Sequence, residues 1–401
     1  MALMKVEDAL NRLLDGISNT KVQSVPLSEA SGRILAQDMA ATRNQPPFDA
    51  SAMDGYAVKA DNLKDLPVKL KVIGEVPAGH SFAGEMKDGE AVRIFTGAPV
   101  PAGADAILIQ ENTERDGDFV TALEPVSNGK FIRPAGLDFK EGEVTLTKGI
   151  HLTPRQVALG ASMNYAEIPV LSRPKVAILA TGDELVPPGE TPAADQIISS
   201  NNFGVAGQAE QVGAETLNLG IAKDQKDAIA AKIKEAQDWG ADILVTIGGA
   251  SVGDHDLVQD VLTEAGMDLN FWRIAMRPGK PLMAGNLGSM QVLGLPGNPV
   301  SSMVCAHIFL QPLIRAMLGQ NETQPLQTAK LAMDLGENDQ RQDYLRARLE
   351  KDTATGQWIA HPFSKQDSAM MARFADADCL IIRPPFAPAA NKDDSCTILV
   401  L

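Results

Sequence analysis

At 401 residues the chain is too long for one compact core, so two to four domains are expected. Its 44% hydrophobic and 22% charged residues are those of an ordinary folded protein, but aromatics reach only 4% and the net charge is −15. Stacking on single-stranded bases and tracking of a phosphate backbone are thereby disfavoured, and any anionic ligand must be held by a few focused groups such as glycine loops, helix N-termini and single Arg or Lys residues. The N-terminus carries Glu7 and Asp8 where a signal peptide would be apolar, and Val6, Leu10, Leu13 and Leu14 mark one face of an amphipathic helix that packs on the body. Residues 44–137 hold short β-type runs broken by Gly and Pro, the texture of a small β domain. The flanking segments, 1–43 and 138–171, pair as a connecting domain in this reading, with the N-terminal helix free to pack on the domain that follows.

Residues 172–320 are the most legible. Apolar strands at 175–180, 215–221 and 241–247 alternate with helices at about 200–212, where Ser199, Ser200 or Asn201 can cap, and from Asp224, which caps a helix whose Ala228, Ile229, Ile233 and Ala236 share a face. Apolar segments at 269–275 and 291–295 precede a helix at 300–318. This alternation predicts an α/β domain with a doubly wound parallel sheet, whose ligands sit beyond the carboxyl ends of the strands. Residues 321–401 return to β texture and form a second small β domain. No run reaches the roughly 18 uninterrupted apolar residues of a membrane span. The three cysteines, Cys305, Cys379 and Cys396, form no CxxC motif or Cys/His cluster, which fits a reducing cytoplasm.

The unusual residues gather at the predicted strand ends. In Gly248-Gly249-Ala250-Ser251-Val252-Gly253-Asp254-His255-Asp256 a glycine-rich turn offers backbone N–H groups to phosphate or another oxyanion, and Asp254 and Asp256 either cap the next helix or ligate Mg2+. Arg277-Pro278-Gly279-Lys280-Pro281 places two cations on a rigid turn, suited to a compact anion such as phosphate or molybdate, or simply solvated. Gly294-Leu295-Pro296-Gly297-Asn298-Pro299 reads as a second anion cradle ahead of a helix. Asp183 and Glu184 follow a strand, and Asp138 follows Arg133-Pro134-Ala135-Gly136. In Pro46-Pro47-Phe48-Asp49-Ala50-Ser51-Ala52-Met53-Asp54-Gly55-Tyr56, the two prolines and Gly55 either aim Ser51 and Asp54 at a ligand or form a solvated Asp-Gly turn. Neither a P-loop nor a Ser-His-Asp or Cys-His arrangement is indicated.

The Pro47–Val58 run, Ala180-Thr181-Gly182-Asp183-Glu184-Leu185, the Gly248–Asp256 loop, Arg-Pro-Gly-Lys-Pro and Gly-Leu-Pro-Gly-Asn-Pro-Val-Ser occur in the order of the MoeA family of molybdopterin molybdenumtransferases, which includes the gephyrin E domain, and the chain resembles that family throughout. The resemblance implies an elongated homodimer of four-domain subunits with a MogA-like α/β domain and a cleft shared between subunits. It implies binding of adenylylated molybdopterin, molybdate and a divalent ion taken as Mg2+, with AMP released as the dithiolene takes up the metal. By the same resemblance Asp54, Asp138, Glu184, Asp224, Asp256 and Lys280 are catalytic. Pro296 and Pro299 are matched by the same resemblance; with Ser51, Gly248, Gly249, Ser251, Gly253, Arg277, Gly297 and Asn298 they are expected to bind substrate, and Asp256 with Asp54 or Glu184 is expected to hold the metal. Arg277 departs from the family's common lysine there. The partners implied are the substrates, a second subunit, the preceding adenylyltransferase and cofactor-accepting enzymes, with neither nucleic acid nor membrane. An adenylyltransferase would lack the two β domains and the Met-Asp-Gly-Tyr motif, and a non-catalytic scaffold need not keep the charged motif residues.

Overall fold

A computed structural model describes residues 3–248, 257–320 and 325–401. The chain divides into two compact units, Gln23–Val170 and Met1–Val22 with Leu171–Leu401. In the first unit a six-stranded mixed sheet runs in the order Ala106–Ile109, Gly55–Val58, Glu90–Ile94, Val68–Val76, Phe119–Ala122, Thr113–Asp116. Alternation along Gly55–Val58 sends Tyr56 and Val58 into one apolar cluster and Ala57 into another, so both faces of the sheet are covered. The segments flanking this sheet pair with each other. Met39–Ala40 joins Val144–Leu146 and Ala50–Ser51 joins Ile132–Arg133, over a core that includes Leu35, Met39, Phe139, Leu152 and Val170.

In the second unit, β1 (Lys175–Thr181), β2 (Glu215–Ala222), β3 (Ile243–Ile247), β4 (Asp268–Trp272), β5 (Met283–Leu287) and β6 (Met290–Leu295) form one sheet in the order β2-β1-β3-β6-β5-β4. The first four in that order are parallel. The last two joins are antiparallel, so the expected parallel sheet is a mixed one, with β5 joined to β6 by a hairpin and β4 at the edge. That hairpin turns through Gly288 at φ +63°, a left-handed conformation suited to glycine. Strand β3 is buried at every position, as expected of a central strand with both faces covered. The helix Lys226–Trp239 buries Ile229, Ile233 and Ala236 and ends at Gly240 in the left-handed region. Its N-cap is Gln225 rather than Asp224, without a side-chain cap bond, because the helix begins two residues beyond the acid.

The helix at Pro299–Met317 contains a π-type stretch at Ala306–Leu310. It has the length and apolarity of a membrane span, but most of it is buried inside the protein, as befits a core helix. The N-terminal helix Val6–Leu14 buries Val6, Ala9 and Leu13 and packs against this helix and β4. Among the C-terminal strands, Gln342–Lys351 pairs with both Trp358–Pro362 and Cys379–Arg383. Together with Gln327–Leu331 and Ser395–Val400, they close into a small barrel around Ala329, Leu331, Ala347, Ala360 and Ile381. The short strand Met276–Arg277 adds to its rim beside Gln342 and Asp343.

Candidate active site at the sheet edge

The carboxyl ends of β1, β2, β3 and β6 meet at one edge, and backbone crowding there explains the glycines. Gly248 follows β3 at φ +93°, and a Cβ on it would lie 2.6 Å from the Thr181 carbonyl oxygen. Its N–H donates to the Leu295 carbonyl at 3.2 Å, and Gly297 comes so near that a Cβ there would lie 3.7 Å from the Gly248 Cα. Gly182, at φ +145°, has the Glu184 carboxylate folded over the position a Cβ would take. The Gly182 N–H donates to the Ala222 carbonyl at 3.3 Å, and the Asp224 N–H donates to Asp183 Oδ1 at 3.2 Å. Asn201, at the start of a helix, donates to the Gly297 carbonyl at 2.7 Å. The structure thus gathers Gly182, Asp183, Glu184, Asp224, Gly248 and the Pro296–Pro299 turn, with the three carboxylate-bearing residues exposed. Gly249, Ser251, Gly253, Asp254, His255 and Asp256 lie outside the described residues.

Pro299 stands at the first helical position, where its missing N–H costs nothing. The cradle ahead of that helix is only partly open, because the Val300 N–H already donates to the Ser368 carbonyl at 3.0 Å, and Ser302 Oγ donates to the Pro296 carbonyl. The residues behind Ser368 are fixed in turn by Arg346. This side chain is 1% exposed, donates to the Asp367 carbonyl at 3.0 Å, and has its own backbone N–H bound by Gln366.

The two cations of the Arg-Pro-Gly-Lys turn part company. Arg277 donates to Asp343, to Asp339 at 3.3 Å and to Asn338 at 3.3 Å. The Asp343 hydrogen bond, aided by the charges of both acids, raises the guanidinium's pKa above its ordinary value. Its charge is therefore spent within the protein, clamping the strand Met276–Arg277 to the barrel, a role the expected oxyanion contact did not include. Lys280 is exposed and has no ion pair among the described residues. Because β5 runs antiparallel to β6 with Met283 opposite Gly294, residues just before β5 emerge at the same edge as the parallel strand ends. Lys280, three residues upstream of Met283, is thereby placed beyond that edge. Gly279 leaves no room for a side chain, since a Cβ would run into Cys305 Sγ.

In the other unit, Asp54 Oδ1 accepts from both the N–H and the hydroxyl of Thr96, each at 2.8 Å. These bonds, backbone first, with a lesser contribution from Arg93, hold the carboxyl below its ordinary range and keep it ionised. Oδ2 has no hydrogen-bond partner among the described residues. Arg93 is itself stacked over Tyr56 and Phe95 and donates to the Gly55 carbonyl at 3.0 Å. Asp54 is thus fixed by a loop 42 residues away, rather than hanging freely from an Asp-Gly turn. Ser51 is fully buried and donates to the Met53 carbonyl at 2.6 Å, so it shapes the turn and does not face a ligand. Asp138 is exposed, and the pairing of Ala50–Ser51 with Ile132–Arg133 joins its segment to that of Asp54. No group of three His, Cys, Asp or Glu side chains suited to a metal occurs among the described residues. The edge carboxylates instead fit an ion such as Mg2+ that needs one or two of them and takes its remaining ligands from phosphate and water.

The MoeA N-terminal region (domain I and II) matches residues 4–164, a probable molybdopterin binding domain matches residues 177–316, and the MoeA C-terminal region (domain IV) matches residues 328–401. A molybdopterin molybdenumtransferase of Haemophilus influenzae is 36% identical over 384 residues, covering 95% of this chain and 94% of its own. One from Bacillus subtilis is 34% identical over 388 residues, covering 94% and 90% respectively. The crystal structure of a molybdopterin biosynthesis MoeA protein from Pyrococcus horikoshii superposes with a TM-score of 0.87 at 30% identity, spanning 100% of this chain and 99% of that one.

Proposed function

The chain belongs to the molybdopterin molybdenumtransferase family, enzymes of molybdenum cofactor biosynthesis, and from that premise we propose that it inserts molybdate into adenylylated molybdopterin and releases AMP. The observation that carries this reading is the convergence of Asp183, Glu184, Asp224, Gly248 and the Pro296–Pro299 turn at one sheet edge, with exposed Lys280 on the segment that enters β5 at that edge. An acidic protein handles a polyanionic substrate only where local groups reverse the field. Lys280 supplies a charge not neutralised by the described residues, and the backbone N–H groups of Gly297 and Asn298 supply dipoles for phosphate or molybdate oxygens. Asp224 and Asp138 position the substrate and leaving group. Mg2+ held by Glu184, Asp256 and Asp54 would neutralise the anhydride oxygens. Asp54 can serve such an ion because Thr96 keeps it ionised and occupies only one of its oxygens.

Asp54 and Glu184 lie on different units of the chain, and in this reading a homodimer brings one subunit's Asp54 to the other subunit's sheet edge. The enzyme works in the cytoplasm, takes its substrate from the adenylyltransferase and passes the cofactor to accepting enzymes. The test is AMP release from adenylylated molybdopterin with and without molybdate. Turnover that needs molybdate and yields molybdenum-loaded cofactor is expected, whereas a requirement for ATP with free molybdopterin would overturn the reading.

A further inference from the structure

Beside the sheet edge lies a cavity of about 400 Å3 whose chemistry differs from that of the anion-holding loops. It shares Gly182, Asp183 and Lys223 with the edge and runs back between the β1–β2 loops and the helix Asn201–Gln211. Leu185, Pro187, Pro188 and Phe203 supply flat apolar walls, and Phe203 is 54% exposed on the first turn of that helix. An exposed aromatic facing prolines across a cavity of this size is suited to a planar ring.

The polar groups are arranged as donors. Asn218 Oδ1 accepts from Asn202 Nδ2 at 3.2 Å and from the Gly220 N–H at 3.0 Å. Asn202 is 3% exposed and is itself fixed by Ser199 Oγ at 3.3 Å. Turning the Asn218 amide over would break two hydrogen bonds, so its NH2 stays directed away from them. The Gln196 carbonyl is likewise taken by the Ala193 N–H at 3.1 Å, leaving its NH2 available. The Lys223 ammonium makes no ion pair among the described residues, and Asp183 keeps one oxygen free to accept. Two amide donors, one acceptor and flat walls match the edge of a nitrogen heterocycle carrying an amino group, and Lys223, just past the end of β2, adds a cation to the lining.

We propose that this cavity is the ring subsite of the enzyme, holding a flat bicyclic amino-substituted nitrogen heterocycle. Phe203 stacks on the ring, and Asn218 is the specificity-determining donor. The inference rests on the proposed reaction, whose substrate carries two such rings, adenine and pterin, one on each side of the anhydride.

The test uses the full-length protein and three probes, AMP, 6-hydroxymethylpterin and inorganic pyrophosphate, titrated calorimetrically into wild type, Phe203→Ala and Asn218→Asp. The aspartate keeps the acceptor that Asn202 and Gly220 need but loses the donor, and unchanged thermal melting verifies the fold. Each variant should weaken one ring probe by at least about fivefold, the lower end for loss of a stacking aromatic, with pyrophosphate unchanged. The probe affected tells whether adenine or pterin occupies the subsite. Ring-probe affinities unchanged in both variants, or no ring-probe binding to wild type at millimolar concentration, would overturn the subsite. Molybdate-dependent AMP release by wild type would then still support the reaction. Loss of that release alongside intact ring binding would reject the reaction and keep the cavity.

Discussion

Replacing Arg277 by alanine separates a cation that binds substrate from one that holds the protein together. Its guanidinium meets Asp343, Asp339 and Asn338, and Asp343 is 4% exposed, with Oδ1 lacking a hydrogen-bond partner. Truncation therefore strands a buried carboxylate that is already under-satisfied. Breaking a buried ion pair from one side costs roughly 3–5 kcal/mol, because the abandoned charge stays desolvated. Here the Arg277 side chain is 46% exposed, so water can enter behind it, and screening reduces the expected loss to about 2 kcal/mol. That is about a 30-fold change in the folded-to-unfolded ratio. Equilibrium urea unfolding measures it, and adding Asp343→Asn should recover more than half of the loss, since the stranded charge goes too. Molybdate titration of AMP release supplies the second measurement. Arg277→Ala should leave the half-saturating molybdate concentration within about twofold, while Lys280→Ala should raise it by about tenfold or more, as expected on losing a direct charge-assisted contact. Unchanged stability in Arg277→Ala, with a molybdate requirement raised as far as in Lys280→Ala, would refute the clamp.

Thr96→Val removes one of the two hydrogen bonds that hold the Asp54 carboxyl below its ordinary value, so that pKa should rise toward 3.8; a carboxyl-carbon NMR titration with no upward displacement would contradict the assignment. Gly248→Ala combines positive φ with a Cβ 2.6 Å from the Thr181 carbonyl and should destabilise the protein by roughly 1–3 kcal/mol, whereas Gly297→Ala, with only an ordinary contact to Gly248, should melt within a degree or two of wild type; equal melting of both would show the crowding to be unimportant. On the proposed dimer with a shared cleft, Asp54→Ala and Glu184→Ala should each be nearly inactive. After subunit exchange, half the dimers are mixed with one intact site each, so AMP release should return to roughly a quarter of wild type; differently tagged heterodimers without that recovery would exclude a shared cleft.

The parts of this fold written in local pattern are those readable from the sequence. Continuous apolar runs identify β1 and β3, and the apolar spacing of Ile229, Ile233 and Ala236 identifies a helix face. The strand Met283-Ala284-Gly285-Asn286-Leu287 is different. Gly285 and Asn286 interrupt its apolar character, and its place is set by pairing with β4 and β6, so the antiparallel side of the sheet went unanticipated. At the site, the glycine-rich turns were visible because backbone crowding demands particular residues. Side-chain partnerships were not, since they depend on chain segments far apart. Asp54 is held by Thr96, 42 residues on, and Arg277 by residues 61 to 66 positions on. The inward turn of Ser51 also lies beyond sequence pattern, because a serine beside a ligand and one satisfying a turn carbonyl look alike in the chain.

The burial of Cys305 beneath Gly279 has a bearing on who competes for the metal. Desolvation pushes that thiol's pKa far above its ordinary value, Cys379 is pushed up to about 12 chiefly by burial, and Cys396 is raised for the same reason. These are all the cysteines the chain has, and none is exposed. A thiolate is the form that ligates metals, and at neutral pH these thiols stay protonated. In the proposed reaction the only ionisable sulfur within reach of arriving molybdenum is therefore the dithiolene of the substrate. The protein handles a thiophilic metal while offering it no cysteine thiolate, so transfer runs toward the pterin without a protein thiolate trap along the way.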